Sequence, residues 1–235
     1  MFHLRPSSAR GTANFGWLDS KHSFSFGHYY DPNHMGFRNL RVINEDKVLP
    51  SKGFGTHGHR DMEIISYVIS GELAHKDSMN NGSTIRKGDV QRMSAGTGVR
   101  HSEFNASNSE LVHFLQIWIL PDRVNHTPGY EERNFGTERQ NALRLLVSGD
   151  AQADALHINA DVQLFGSELE AGNSLTHVIP ADRYGWIQVV SGELTVESGN
   201  LSHTLNPGDG LGISKVSDLT FQAQSNSEFL VFDLP

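Results

Sequence analysis

Two short clusters in this chain hold residues that bind divalent metals through nitrogen and oxygen: Gly55-Thr-His57-Gly-His59-Arg-Asp-Met-Glu63 and Arg100-His101-Ser-Glu103-Phe-Asn105. Side chains two apart on an extended strand project to one face, so His57 and His59 share a face, as do His101 and Glu103. Glu63 falls in phase with the first pair if that strand continues. Pairing of the two strands would bring together three imidazoles and a carboxylate, a ligand set suited to a borderline divalent transition metal. Strand parity allows either Glu63 or Glu103 as the carboxylate. An isolated histidine is more often a core residue than a ligand, and on that ground His75 and the chain's other nine histidines are read as solvated or structural. Arg60 and Arg100 have the opposite parity and are read as scaffold ion-pair residues.

The elements that must position these clusters are strands. Twenty-three glycines punctuate β-branched and aromatic runs such as Glu63-Ile-Ile-Ser-Tyr-Val-Ile, Val112-His-Phe-Leu-Gln-Ile-Trp-Ile-Leu, Trp186-Ile-Gln-Val-Val and Phe229-Leu-Val-Phe, the pattern of a sandwich or barrel. Gly136-Thr-Glu-Arg-Gln-Asn-Ala-Leu is the best of few helical patterns. Ser70-Gly-Glu-Leu73 recurs as Ser191-Gly-Glu-Leu194, and Lys87-Gly-Asp89 recurs at nearly the same distance as Pro207-Gly-Asp209. Two matched markers in one order indicate a duplicated β-unit. The second copy has neither His-x-His nor His-x-Glu. The expected division is a metal-binding domain over 1–125, a connecting segment over 126–160 containing Pro128, and a C-terminal domain over 161–235 without metal ligands.

Composition narrows the partners. At 235 residues with a net charge of −8 and no cluster of Lys and Arg, the chain lacks the electrostatic footprint of a nucleic-acid or anionic-membrane binder. With no cysteine, a Cys-rich zinc site is excluded. No apolar run reaches the ~20 residues that span a bilayer, and no secretory signal pattern opens the chain, so the cytoplasm is the expected compartment. Nothing resembles a heptad, and a monomer is expected.

Gly55-Thr-His57-Gly-His59-(three residues)-Glu63-(seven residues)-Gly71, followed by Gly88-Asp-(six residues)-Gly96-Thr-Gly98-Val-Arg-His101-(three residues)-Asn105, resembles the two motifs of the cupin superfamily. The version Met93-Ser-Ala-Gly-Thr-Gly98 is similar to pirin and the pirin-like bacterial quercetinases. So is the opening: Trp17-Leu-Asp, Ser23-Phe-Ser-Phe-Gly-His-Tyr-Tyr-Asp-Pro32, Met35-Gly-Phe and Leu40-Arg-Val-Ile-Asn44. The resemblance implies an all-β bicupin fold of two antiparallel double-stranded β-helix (jelly-roll) barrels with few short helices. It also implies metal ligands at His57, His59, His101 and Glu103, with Glu63 in support.

Such a set leaves positions open for water, dioxygen or substrate. The resemblance implies Fe(II) as the metal, with Mn(II), Ni(II), Cu(II) and Zn(II) compatible. It further implies a dioxygenase that opens flavonols such as quercetin and releases carbon monoxide, with Glu103, or failing it Glu63, taking the substrate's hydroxyl proton. Phe24, Phe26 and Tyr29 are candidate walls of an apolar pocket for this planar aromatic substrate and O2. The alternative is a non-enzymatic iron-binding regulator whose metal state controls binding to a partner protein. A sugar isomerase would need a polar pocket, and the aromatic N-terminal run argues against one.

Overall fold

The structure is a computed structural model and describes residues 1–150, 152 and 154–235. The chain divides into two compact units, one of residues 11–135 and 156–160, the other of residues 1–10, 136–155 and 161–235. The division differs from the expected boundaries at 125 and 160 for a physical reason. The strand Gly129–Asn134 pairs with Asp89–Ser94 and so belongs to the first unit. The strand Phe2–Arg5 pairs with Gly210–Ile213 and so belongs to the second. Ala151 and Ala153 of the expected connecting segment lie outside the described residues.

The first unit is built from two antiparallel sheets. Its larger sheet has the strand order Gly129–Asn134, Asp89–Ser94, Glu63–Ser70, Val112–Ile119, Leu40–Val48, Leu18–His22, Gly11–Asn14. Its smaller sheet has the order Gly53–His59, Val99–Asn105, Glu72–Asp77, Gly82–Arg86. The second unit repeats the small sheet with Ser174–Val178, Asp218–Ala223, Leu194–Ser198 and Leu201–Leu205 in the same topological order. The weak helical pattern at Gly136 folds as a single 3₁₀ turn, Gly136–Arg139. There Arg139 is buried and paired with Glu168 and Glu228. Among the described residues no helix is long and apolar enough to cross a membrane.

The repeated Ser-Gly-Glu-Leu has a structural cause. Gly71 and Gly192 turn the chain between paired strands with φ of 80° and 77°. A Cβ on either would lie 2.5 Å from the Leu111 carbonyl oxygen or 2.2 Å from that of Asn226. Only glycine meets both demands. The leucine that follows then sets the register in each unit: Leu73 faces Asn105, and Leu194 faces Ala223.

Register therefore aligns the two copies residue by residue. Glu103 and His75 face one another where the second unit has Phe221 and Val196. His101 corresponds to Leu219, whose other neighbour, His177, takes the place of His57. Where the first unit has imidazoles, the second has a continuous apolar core that includes Val196, Leu219, Phe221 and Phe229.

Gly71→Ala is expected to lower the unfolding free energy by at least about 2 kcal/mol, since strain at positive φ adds to the collision. Gly16→Ala, at φ of 81° with open space around it, should cost only about 1 kcal/mol. Urea midpoints that shift equally for the two variants would contradict the steric account.

Candidate metal centre and its cleft

The small sheet of the first unit assembles the histidines. Pairing of Val99–Asn105 with Gly53–His59 sets His101 opposite His57, and an irregularity before Glu103 sets that residue opposite Phe54. On the other side His101 faces Asp77 and Glu103 faces His75. The imidazoles of His57, His59 and His101 have ring centroids 4.5–4.8 Å apart. His57 Nε2 and His101 Nε2 are 3.0 Å apart. His57 Nδ1 lies 2.8 Å from the Gly55 carbonyl; donation there leaves Nε2 with its lone pair turned inward.

His75, His101 and Glu103 form a second group whose ligand atoms all lie within 4.8 Å of one another, so His101 is common to both. Glu103 is held from the opposite sheet. Ser66 Oγ donates to its Oε1 at 3.1 Å, and Gln116 Nε2 donates to Oε1 and Oε2 at 3.2 and 2.9 Å. His75 is buried, lies 3.2 Å from Asp77 through Nε2, and stacks on Tyr130 with centroids 4.9 Å apart. Its reading as an isolated histidine is thus corrected: its neighbours come from other strands.

Glu63 takes a different place. The strand that carries His57 and His59 ends at His59, and Asp61 turns the chain at φ of 49° before Glu63 opens a strand of the larger sheet. There Ser94 Oγ donates to its Oε2 at 2.8 Å and Asn159 Nδ2 to its Oε1 at 3.2 Å. The condition for Glu63 to share a face with the two histidines is not met, because the strand does not continue. Arg60 is largely exposed and donates to Asp61 and Asn125.

The inner face of the larger sheet carries a row of buried polar side chains that single-strand patterns do not reveal. In register across five strands stand Gln91, Ser66, Gln116, Asn44 and His22. Apolar residues lie on both sides of the row, with Leu18, Val48, Val68 and Phe114 at one end and Ile64 and Met93 at the other. One step along, Ser20 Oγ donates to Asp46 and lies 2.8 Å from His22 Nε2. Burial pushes the Asp46 carboxyl up to about 7, and the nearby charges of Glu103 and Glu45 add to the rise against the Ser20 hydrogen bond. The available sequence signal was a pair of polar residues at i and i+2, Asn44 and Asp46, within an apolar strand.

A cavity of about 70 Å³ opens on His57, His59 and Glu103, with Asn44, Gln116 and Trp118 among its other walls. A neighbouring cavity of about 130 Å³ is lined by Phe15, Ser20, His22 and His28. Phe26, Asn44, Asp46 and Phe54 line both, so the two are lobes of one cleft. Of the expected aromatic walls, Phe26 is one. Phe24 is buried outside the lining, and the Tyr29 ring covers Gly11, where a Cβ would lie 2.2 Å from the ring.

Burial, together with the charge that protonated neighbours would carry, lowers the pKa of His101 to about 3 and of His59 to about 4. Glu103 opposes the shift at His59, as does Asp77 at His101. Both imidazoles are therefore neutral at pH 7, with lone pairs free. Because the unfolded chain protonates near 6.5 and the native chain does not, stability is full above that value and is lost as pH falls from 6.5 toward 3. Urea midpoints of metal-free protein should drop as pH falls through this window, the two histidines acting against the opposite contribution of Asp46, and His59→Gln should flatten the fall by up to about one proton; an unchanged slope would show that His59 is not held neutral.

A model of the Pirin family matches residues 3–119, and one described as the quercetinase C-terminal cupin domain matches residues 145–234. The chain is 46% identical over 235 residues to quercetin 2,3-dioxygenase of Escherichia coli (strain K12), covering all of this chain and 99% of that protein. It is 38% identical to a pirin-like protein of Caulobacter vibrioides, with 99% of each covered. The crystal structure of bacterial pirin YhhW from Escherichia coli in complex with nickel(II) superposes with a TM-score of 0.93 at 46% identity, over 100% of this chain and 99% of that one. Duplicated sheets, paired family matches over both halves and full-length identity to these relatives place the chain in the pirin family, with the bicupin fold.

Proposed function

We propose that this chain is a metal-dependent dioxygenase that opens flavonols such as quercetin, with His57, His59, His101 and Glu103 holding one divalent metal. The observation that carries the reading is the convergence of three imidazoles at a cleft walled by Phe26, Phe54 and Trp118. The donor set fits a metal. Ligands about 2.1 Å from a common centre and at right angles to each other are separated by about 3 Å, which is the spacing of His57 Nε2 and His101 Nε2. Fe(II) is the proposed ion in the cell, and nickel(II) in the YhhW crystal structure agrees with a nitrogen and oxygen site of broad affinity.

Bound there, the metal would act as a Lewis acid toward a deprotonated substrate oxygen and as a template for dioxygen. The chain's own residues supply the rest. Glu103, whose carboxylate is fixed by Ser66 and Gln116, lines the cavity and accepts the proton of the substrate's 3-hydroxyl. Phe26 and Trp118, in edge contact at 5.3 Å, orient a planar ring system and exclude water. Consumption of one O2 then yields carbon monoxide and a depside. An aromatic cleft that opens on the histidines favours this reading over a regulator with a blocked site.

His101→Ala is expected to abolish both metal content and carbon monoxide release, as measured by elemental analysis and an aerobic quercetin assay. Cleavage by metal-depleted protein at the rate of the loaded protein would overturn the proposal.

A further inference from the structure

Most side chains of the polar row on the large sheet have a hydrogen-bond partner. Gln91 reaches His75 and Tyr130, Ser66 and Gln116 reach Glu103, and His22 reaches Ser20. Asn44 stands between Gln116 and His22 in the row, 3% exposed, and its Oδ1 has no hydrogen-bond partner. Buried amide oxygens are rarely left in this state. Asn44 also lines both lobes of the cleft, at their junction.

Two further atoms around the metal-side lobe share the condition. Gln116 Oε1 is buried without a partner, and its orientation is fixed because Nε2 is committed to Glu103. Trp118 Nε1 is a buried donor without an acceptor. All three residues line the lobe together with Phe26 and Phe54, so two acceptors and one donor without partners belong to its walls. That pattern is complementary to a planar aromatic compound carrying hydroxyl hydrogens and an oxygen acceptor.

We infer that Asn44 is a specificity-determining residue, whose Oδ1 accepts a hydrogen bond from a substrate hydroxyl other than the one directed at the metal. This deepens the flavonol reading and rests on it. A site built to pair with a hydroxyl discriminates against the analogue lacking it, because the site's own polar atom is then left unpaired. Gln116 is less suited to such a test, since its amide also holds Glu103.

The experiment uses nickel(II)-loaded protein under nitrogen, so that binding is read without turnover. Dissociation constants are measured by calorimetry for a flavonol with only the 3-hydroxyl and 4-keto groups and for derivatives each adding one hydroxyl. With the unsubstituted protein, at least one added hydroxyl should tighten binding about 5- to 10-fold, the span of one buried hydrogen bond. In Asn44→Leu the ratio of the parent's dissociation constant to that of the hydroxylated derivative should fall to about one, whatever the change in affinity for the parent. Asn44→Ala, which leaves more space, replaces the leucine variant if melting shows that the latter does not fold.

If every hydroxyl contributes equally in both proteins, Asn44 does not read the substrate. Should the flavonols bind, release carbon monoxide in air and yet show no coupling to Asn44, only this inference falls. If neither the parent nor any derivative binds the loaded protein and no carbon monoxide forms, the flavonol reading falls with it.

Discussion

Antiparallel pairing places His101 between His57 and Asp77, and Glu103 opposite His75, on one face of a four-stranded sheet. The rest of the first unit depends on that register. A slip of one residue would turn His101 and Glu103 outward and bring Ser102 and Phe104 in. The glycine turn at Gly71 helps fix it, because the chain must reverse against the backbone at Leu111 before Leu73 can take its partner. Turn chemistry and ligand placement are therefore one constraint seen at two positions.

The second unit shows what the same register does without ligands. Leu219, Phe221 and Val196 occupy the positions of His101, Glu103 and His75 and join a dry core. His177 stands where His57 stands in the first unit, packed edge-on against Phe165 at 4.8 Å, and burial lowers its pKa. One imidazole without neighbours is absorbed as a structural residue. Convergence, more than residue type, separates a metal centre from a buried histidine.

That distinction explains what could be read from the chain. His57 with His59, and His101 with Glu103, are legible because both members of each pair lie on one strand, where parity is visible. The duplicated architecture is legible because its turn glycines recur at matched spacing. The place of Glu63 is legible only conditionally, because parity holds only while a strand continues, and the left-handed Asp61 ends that continuity. His75, Asn44 and Gln116 were passed over because their company arrives from other strands, through pairings that no local pattern encodes. The domain edges shifted for the same reason, since Phe2–Arg5 and Gly129–Asn134 are assigned by strands far away in sequence.

The polar row and the cleft in front of it have a cost beyond recognition. Interiors gain cohesion from close contact on every side, yet the first unit keeps Asn44 and Gln116 in the wall of a cleft where register puts Phe165 and Val231 against the apolar core of the second. The domain is in that sense an unfinished core. A ring system lodged between Phe26 and Phe54, as proposed, would complete it and would become a transient part of the protein interior, and affinity for it would then be partly the packing energy that the fold has left unclaimed.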